Sequence, residues 1–274
     1  MKAIFNSRII NSSDPIIQTD NRAFCYGDGL FETIVTGDRR INLIEKHLGR
    51  LQRGCQVMGI EFPPKLERLS IEKEINELRK VNQIEGDTRA KLLLWRNSGG
   101  LYTPSASEAS YYLEVKPSES QIFQDLRRAG FSEDFNTQYS PISFAKTTNA
   151  LTYVLAGREK QSRGLDDIIL TDSQGNLSET HISNLFWIKN KEVFTPKIAS
   201  GCVEGIMRNT IISLLAEFEI QVTEVMEKKE VLSEADSVFA TNASGIKYFR
   251  QIDDWSYEDP ENFLKDIITR LQHP

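Results

Sequence analysis

Cysteine and histidine are scarce in this chain, with three of each in 274 residues. Cys25, Cys55 and Cys202 are far apart, odd in number and without Cys-x-x-Cys spacing. That argues against a disulfide framework and a cysteine-built zinc site, and it fits free thiols in a reducing cytoplasm. His47, His181 and His273 are too scattered to make a metal cluster, so no metal is expected. Positive charge is also short: 33 Lys and Arg against 39 Asp and Glu leave a net charge of −6. A chain without basic excess cannot track a phosphate backbone, which sets aside nucleic acid as a partner. No apolar stretch approaches the ~20 residues of a membrane helix, so no membrane is expected either. The opening Met1-Lys2-Ala3-Ile4-Phe5-Asn6 loses its apolar character within a few residues and has no signal-peptide core. Cytoplasmic residence is the resulting expectation. No Gly-x-Gly-x-x-Gly follows a strand pattern, so a dinucleotide fingerprint is missing. No repeat and no low-complexity segment interrupts the chain.

What remains is an ordinary globular composition, 39% hydrophobic and 26% charged, long enough for two modest domains. The opening reads as a strand, a turn at Asn6-Ser7 and further extended chain through Ile16-Ile17. Residues 45–58 carry a helical pattern with Ile44, Leu48, Leu51, Cys55 and Met58 on one face. A second helix is predicted over 66–81, with Leu66, Leu69, Ile75 and Leu78 inward. Residues 90–95 and 111–115 are apolar, aromatic-rich and bounded by turn residues, so they read as strands. The run Lys116-Pro117-Ser118-Glu119-Ser120 is the linker candidate, dividing an N-terminal α+β domain (1–118) from a C-terminal domain (119–274). In the second half, Lys146 leads into a helix through Ala156. Strands follow at 168–171, near Glu179, at 185–188 and 192–195, and at 237–241. Helices are predicted from Gly205 to about Phe218 and over 263–271. Strands grouped in hairpins with helices interspersed indicate α+β domains rather than a doubly wound parallel sheet.

Several residues invite chemistry. Lys146 lies in Ser143-Phe144-Ala145-Lys146-Thr147-Thr148-Asn149, flanked by small and hydroxyl residues where a solvated lysine usually has charged neighbours. Such an amine can attack a carbonyl if its surroundings hold it unprotonated. Gly205-Ile206-Met207-Arg208 opens an apolar helix, whose unpaired N–H groups would seat a phosphate; equally, Gly201 and Gly205 shape a loop before a core helix. Arg50, three residues after His47, would reach a phosphate or lie solvated on an amphipathic helix. Glu179 would face a pyridine nitrogen or stand at a strand edge. Tyr26-Gly27-Asp28-Gly29 is by itself a tight turn. Thr241-Asn242-Ala243 would offer donors to an anion or cap the next element.

Taken together, Gly27-Asp28-Gly29 with Phe31-Glu32-Thr33, His47-x-x-Arg50-Leu51, Lys146-x-x-Asn149, Glu179 through Asn184-Leu185-Phe186, Thr195-Pro196 and Gly205-Ile206-x-Arg208 resemble the class IV aminotransferases, the fold-type-IV pyridoxal-phosphate enzymes. The resemblance implies a two-domain fold, with a small N-terminal α/β sandwich and a larger C-terminal domain of barrel-like sheet. That C-terminal domain is expected to carry the Schiff-base lysine. It implies pyridoxal 5'-phosphate as cofactor, with Lys146 joined to its aldehyde and later moving protons. Arg50, Gly205, the backbone of Ile206 and Met207, and Thr241, Asn242 and Ala243 would hold the phosphate. Glu179 would pair with the pyridine nitrogen, and Val203 would pack on the ring. Many members carry threonine at the position of Met207, so one hydroxyl would be missing here. A homodimer is implied as well.

Within that family, Ser178 through Trp187, Val203 through Arg208, Asn242-Ala243 and the loop Arg96-Asn97-Ser98-Gly99-Gly100 look most like 4-amino-4-deoxychorismate lyases, which release pyruvate and 4-aminobenzoate on the way to folate. Leu101-Tyr102 stands where some lyases continue with Arg-Gly-Tyr. The alternatives are branched-chain and D-amino-acid aminotransferases. Phe31 replaces the tyrosine typical of D-amino-acid enzymes, and neither the carboxylate-binding Arg-x-His of those enzymes nor the Arg-Pro run of branched-chain enzymes is found. Phe31, Arg96 and Tyr102 are the candidate contacts to the small-molecule substrate. A non-catalytic cofactor-binding protein is the reading from another class, and the presence of both Lys146 and Glu179 counts against it.

Overall fold

The computed structural model describes residues 1–37, 42–119, 121–126 and 128–272. Ser120 of the expected linker and His273 lie outside the described residues. The chain divides into two compact units: Met1–Glu119 with Ala145–Ala150, and Ser120–Phe144 with the chain from Leu151 onward. The division after Glu119 falls one residue beyond the expected boundary. The Lys146 segment groups with the first unit rather than with the C-terminal domain in which it was expected.

The first unit is built on strands β1 (Lys2–Phe5), β2 (Arg8–Asn11), β3 (Gly29–Thr36), β4 (Thr88–Arg96) and β5 (Ala109–Pro117), with helices α1 (Arg22–Tyr26), α2 (Ile44–Met58) and α3 (Arg68–Val81). Asn6 and Ser7 both adopt positive φ, 48° and 64°, and close a two-residue hairpin in which Phe5 pairs with Arg8. The second strand of that hairpin stops at Asn11, short of the extended chain expected through Ile17. The sheet runs β2-β1-β5-β4-β3. In β4, Ala90, Leu92 and Leu94 are fully buried while Arg89 and Lys91 are exposed, the period-two pattern of a sheet with one covered face. Helix α2 buries Ile44, Leu48, Leu51 and Cys55 as expected. Helix α3 buries Ile71, Ile75 and Leu78, and Leu69 is exposed. The predicted inward Leu69 is therefore corrected: the helix starts at Arg68, and two residues before Ile71 is the opposite side of a 3.6-residue turn.

The second unit carries β6 (Phe123–Leu126), β7 (Ala129–Thr137), β8 (Asp167–Asp172), β9 (Leu177–Thr180), β10 (Asn184–Lys189), β11 (Glu192–Pro196), β12 (Val222–Val225), β13 (Ser237–Asn242), β14 (Gly245–Phe249), β15 (Gln251–Ile252) and β16 (Trp255–Ser256). Its helices are α4 (Leu151–Ser162), α5 (Ile206–Glu217) and α6 (Glu261–Gln272). These strands form one 11-stranded sheet in the order β16-β15-β7-β8-β9-β10-β13-β14-β6, with β11 and β12 continuing from β10 on a branch. The sheet curls as a half-barrel. One face packs Phe131, Leu177, Leu185, Trp187, Val238 and Phe249 into a core. On the other, Phe186 and Phe239, directly paired across β10 and β13, stack at 5.0 Å. Because both faces of β10 are covered, it reads in sequence as an unbroken apolar run.

Candidate active site

Lys146 owes its place to backbone pairing. The N–H of Phe31 donates to the Lys146 carbonyl at 2.8 Å, and the N–H of Thr148 donates to the Gly29 carbonyl at 2.9 Å. Leu30 and Thr147 form an antiparallel bridge. Lys146 thus lies on extended chain along β3, and the helix expected to begin at it starts at Leu151. The β-branched Thr147-Thr148 pair favours that extension. Gly27, at φ 67°, makes room for it: a Cβ there would come within 2.9 Å of the Asn149 Cβ. The Gly27-Asp28-Gly29 and Lys146-x-x-Asn149 motifs are therefore two sides of one contact. The Lys146 amine ends 5.2 Å from the centre of the Phe31 ring, which gives it an aromatic wall.

Arg50 is buried, so the solvated reading of it is set aside. Its Nε donates to Glu32 Oε1 at 2.8 Å and its Nη2 to Glu32 Oε2 at 2.5 Å. His47 Nδ1 lies 2.7 Å from the same Oε2. Burial raises the Glu32 carboxyl, but the Arg50 charge and the His47 hydrogen bond outweigh it and bring it down to about 2. Glu32 is thus an anion that fixes the Arg50 guanidinium in the bidentate geometry only arginine makes.

Arg96, a candidate contact to the substrate, is buried in a clamp. Its Nε donates to Asp28 Oδ2 at 2.9 Å and its Nη1 to the carbonyls of Gly59 and Ala106 at 2.9 and 3.2 Å. Its Nη2 donates to the Met58 carbonyl at 2.6 Å and to Asp28 Oδ1 at 3.5 Å. All five N–H donors of a guanidinium are then committed, leaving none for a ligand. Arg22 joins from the other side, with Nε donating to Asp28 Oδ2 at 2.7 Å and Nη1 to the carbonyls of Gly99, Gly100 and Leu101. Burial raises Asp28, but the two arginines outweigh it and hold its carboxyl below the ordinary range. The clamp pins the 99–101 loop, and Tyr102 beyond it is 91% exposed.

In the second unit Glu179 sits on β9, 3% exposed, against three donors. The Tyr153 hydroxyl donates to Oε1 at 2.8 Å, the Val203 N–H to Oε1 at 3.0 Å and Asn184 Nδ2 to Oε2 at 3.4 Å. This is a buried carboxylate, and the strand-edge alternative falls with it. The same Asn184 amide donates at 2.7 Å to the Val203 carbonyl. Burial, followed by the Glu179 charge, pushes the Tyr153 phenol far above its ordinary range, so it remains protonated and donates. Burial and then Glu179 push the Cys202 thiol up to about 12, which keeps it neutral.

An anion cradle adjoins Asn184. Gly205 is the N-cap of α5 and offers no side-chain cap, so the first-turn N–H groups, among them those of Ile206 and Met207, lack intrahelical partners. A Cβ on Gly205 would stand 1.9 Å from Asn184 Oδ1, so a larger residue would force the Asn184 amide to shift. Thr241, directly opposite Asn184 in the β10–β13 ladder, has a buried Oγ1 with no hydrogen-bond partner. An orphan hydroxyl on β13 and the uncapped N–H groups of α5 are donors that could hold a phosphate. Asn242 is occupied locally: its Nδ2 donates to Ser183 Oγ at 2.9 Å and its Oδ1 accepts from the Ser244 N–H at 2.9 Å. It shapes the turn in which Ala243 lies. Val203, 8% exposed, presents its side chain next to its two backbone bonds.

Sequence reasoning passed over Tyr153 and Arg22, and gave no role to Glu32 and Asn184 although both lie in the matched motifs. Tyr153 in a helical pattern reads as core, and its bond to Glu179 spans 26 residues, beyond any local periodicity. Among the described residues no group of His, Cys, Asp or Glu could hold a metal ion, and no helix is long and apolar enough to cross a membrane.

The arrangement has counterparts in known proteins. The family Amino-transferase class IV matches residues 29–252. The chain is 25% identical over 248 residues to the aminodeoxychorismate lyase of Bacillus subtilis (strain 168), spanning 87% of this chain and 82% of that protein. It is 24% identical over 250 residues to the D-alanine aminotransferase of Bacillus licheniformis, spanning 89% and 85%. The structure of a branched-chain aminotransferase from Thermoproteus uzoniensis with norvaline matches at a TM-score of 0.87 and 22% identity, covering 100% of this chain and 96% of that one. With its motifs spread along that match, the chain belongs to the class IV aminotransferase family, pyridoxal-phosphate enzymes of fold type IV.

Proposed function

We propose that this enzyme is a lyase that converts 4-amino-4-deoxychorismate to 4-aminobenzoate and pyruvate. The observation that carries the choice is the pair of lyase-like runs, Ser178 through Trp187 and Val203 through Arg208, whose residues build the Glu179–Asn184–Val203 hydrogen-bond set. Pyridoxal phosphate, when bound, supplies an electron sink for the charge left on breaking a C–H bond next to an amine. Lys146 would hold the cofactor at its aldehyde and would serve as the general base that takes the substrate's proton. Glu179 would hold the pyridine nitrogen protonated. The N–H groups of Ile206 and Met207, Thr241 and the Asn242-Ala243 turn, with Arg50, would hold the phosphate, and Val203 would pack on the ring. Phe31 offers a flat wall to a six-membered carbocycle, and Tyr102 an exposed aromatic ring.

Amino transfer is the second reading, and one observation favours it: the Arg96 clamp occupies an arginine of the lyase-like loop that was a candidate substrate contact. Lys146 and Glu179 would serve either reaction. The deciding assay follows 4-aminobenzoate by fluorescence and pyruvate by a coupled dehydrogenase, with no keto acid added. Stoichiometric release of both supports the lyase. Efficient amino transfer from glutamate, a branched-chain amino acid or D-alanine, without 4-aminobenzoate, overturns it. A homodimer, as the family resemblance implies, is proposed alongside and checked by sedimentation, and the three free thiols at Cys25, Cys55 and Cys202 support a reducing compartment.

A further inference from the structure

Tyr153 belongs to none of the matched motifs. Its ring lies on α4 against Ala156, Ile168 and Leu170, beside Phe135. From there its hydroxyl reaches Glu179 Oε1 at 2.8 Å, the oxygen that also accepts the Val203 N–H at 3.0 Å. Two donors from separate elements therefore converge on one carboxylate oxygen.

We infer that Tyr153 is a positioning residue for this enzyme, whose hydroxyl fixes the rotamer of Glu179 and keeps that carboxylate ionised toward the cofactor's ring nitrogen. The inference rests on the reading of Glu179 given under the proposed function. A glutamate side chain has three rotatable bonds, and one backbone donor restrains the position of one oxygen only. The second donor, carried on a packed aromatic ring, holds that same oxygen from a second direction, while Asn184 Nδ2 holds Oε2. A hydrogen bond to the charged form also lowers proton affinity. Of the titratable groups beside the carboxylate, Tyr153 and Cys202 are kept protonated by burial, so neither competes as an anion. The Asn184 amide completes the set without titrating.

Tyr153→Phe tests this, because it keeps the packed ring and deletes only the hydroxyl. In the cofactor-free full chain labelled with carboxyl-13C glutamate, the Glu179 resonance is the one lost in Glu179→Gln. Its titration midpoint is expected to rise by about one pH unit in Tyr153→Phe. In the holoenzyme, the release of cofactor, read from loss of visible absorbance, is expected to quicken severalfold in both variants. A lower melting temperature with an unmoved Glu179 midpoint means a purely structural tyrosine and overturns the inference. So does a Tyr153→Phe holoenzyme that holds cofactor like the wild type while Glu179→Gln does not. If Glu179→Gln also leaves release and absorbance unchanged although the midpoint moves in Tyr153→Phe, the assignment of Glu179 fails, and the role toward the cofactor fails with it.

Discussion

Replacing Glu32 by glutamine tests the buried ion pair on which Arg50 depends. The carboxyl is brought from its ordinary 4.5 to about 2 in the folded chain. At about 1.4 kcal/mol per pH unit, that difference amounts to about 3 kcal/mol of stability carried by the ionised form. The sign follows from the depressed value. The contribution is fully present above pH 4.5, and it disappears as the pH falls toward 2, where the folded-state carboxyl takes up its proton. Glu32→Gln also removes the negative charge that faces the buried Arg50 guanidinium at its Nε and Nη2. Breaking a buried pair from one side costs about 3–5 kcal/mol. Urea unfolding of wild type and variant, at pH 7 and at steps down to pH 3, measures both terms. The expected gap is about 3 kcal/mol or more at neutral pH and narrows below pH 4.5. A gap under about 1 kcal/mol at pH 7, the size of an exposed ion pair, or a gap that does not change with pH, refutes the reasoning.

Lys146→Ala is expected to leave a folded protein that is not coloured by added cofactor and gains no cofactor mass after borohydride reduction, checked by absorbance and intact-mass spectrometry. Gly205→Ala places a methyl group 1.9 Å from Asn184 Oδ1; the forced shift should cost about 1–3 kcal/mol and weaken inorganic phosphate as a competitor of cofactor binding, read by thermal melts and fluorescence titration. Arg96→Lys loses the fork that spans Asp28 and the Met58, Gly59 and Ala106 carbonyls. It should lower stability by about 2 kcal/mol or more with KM little changed; a KM increase without loss of stability would restore Arg96 to the substrate. Cys202, buried and pushed up to about 12, should resist maleimide at pH 8 in the native protein while exposed Cys25 reacts, as peptide mass mapping will show.

Local signals carried much of this architecture. Helices α2 and α5 and strands β4, β10 and β13 announce themselves because their apolar residues repeat at 3.6 or 2, or run unbroken where both faces are covered. The ordered motifs disclosed the family and the candidate cofactor residues. Strands β14, β15 and β16 were missed too, and among the missed strands β6, β7 and β12 have polar or interrupted sequences; β7 shifts register between Phe131 and Asn136, which breaks the alternation that a sequence would display. Leu69 misled because an apolar residue near a helix start declares its face only once the first helical residue is fixed. Arg96 misled because a motif names a residue type and says nothing of the carbonyls waiting for its donors.

The sequence alone determined the residue types for this chemistry: an amine at Lys146 without charged sequence neighbours, a carboxylate at Glu179, a glycine before an apolar helix. Tertiary structure alone decided which of them are held and by what. Pairing with Gly29 and Phe31 sets Lys146 along β3, Glu32 fixes Arg50, and Tyr153 reaches Glu179 from α4. The physical reason is range. Backbone propensity and periodicity act within a turn or two, whereas these bonds join residues brought together only when the sheets form, and the burial that strengthens them does not exist before folding.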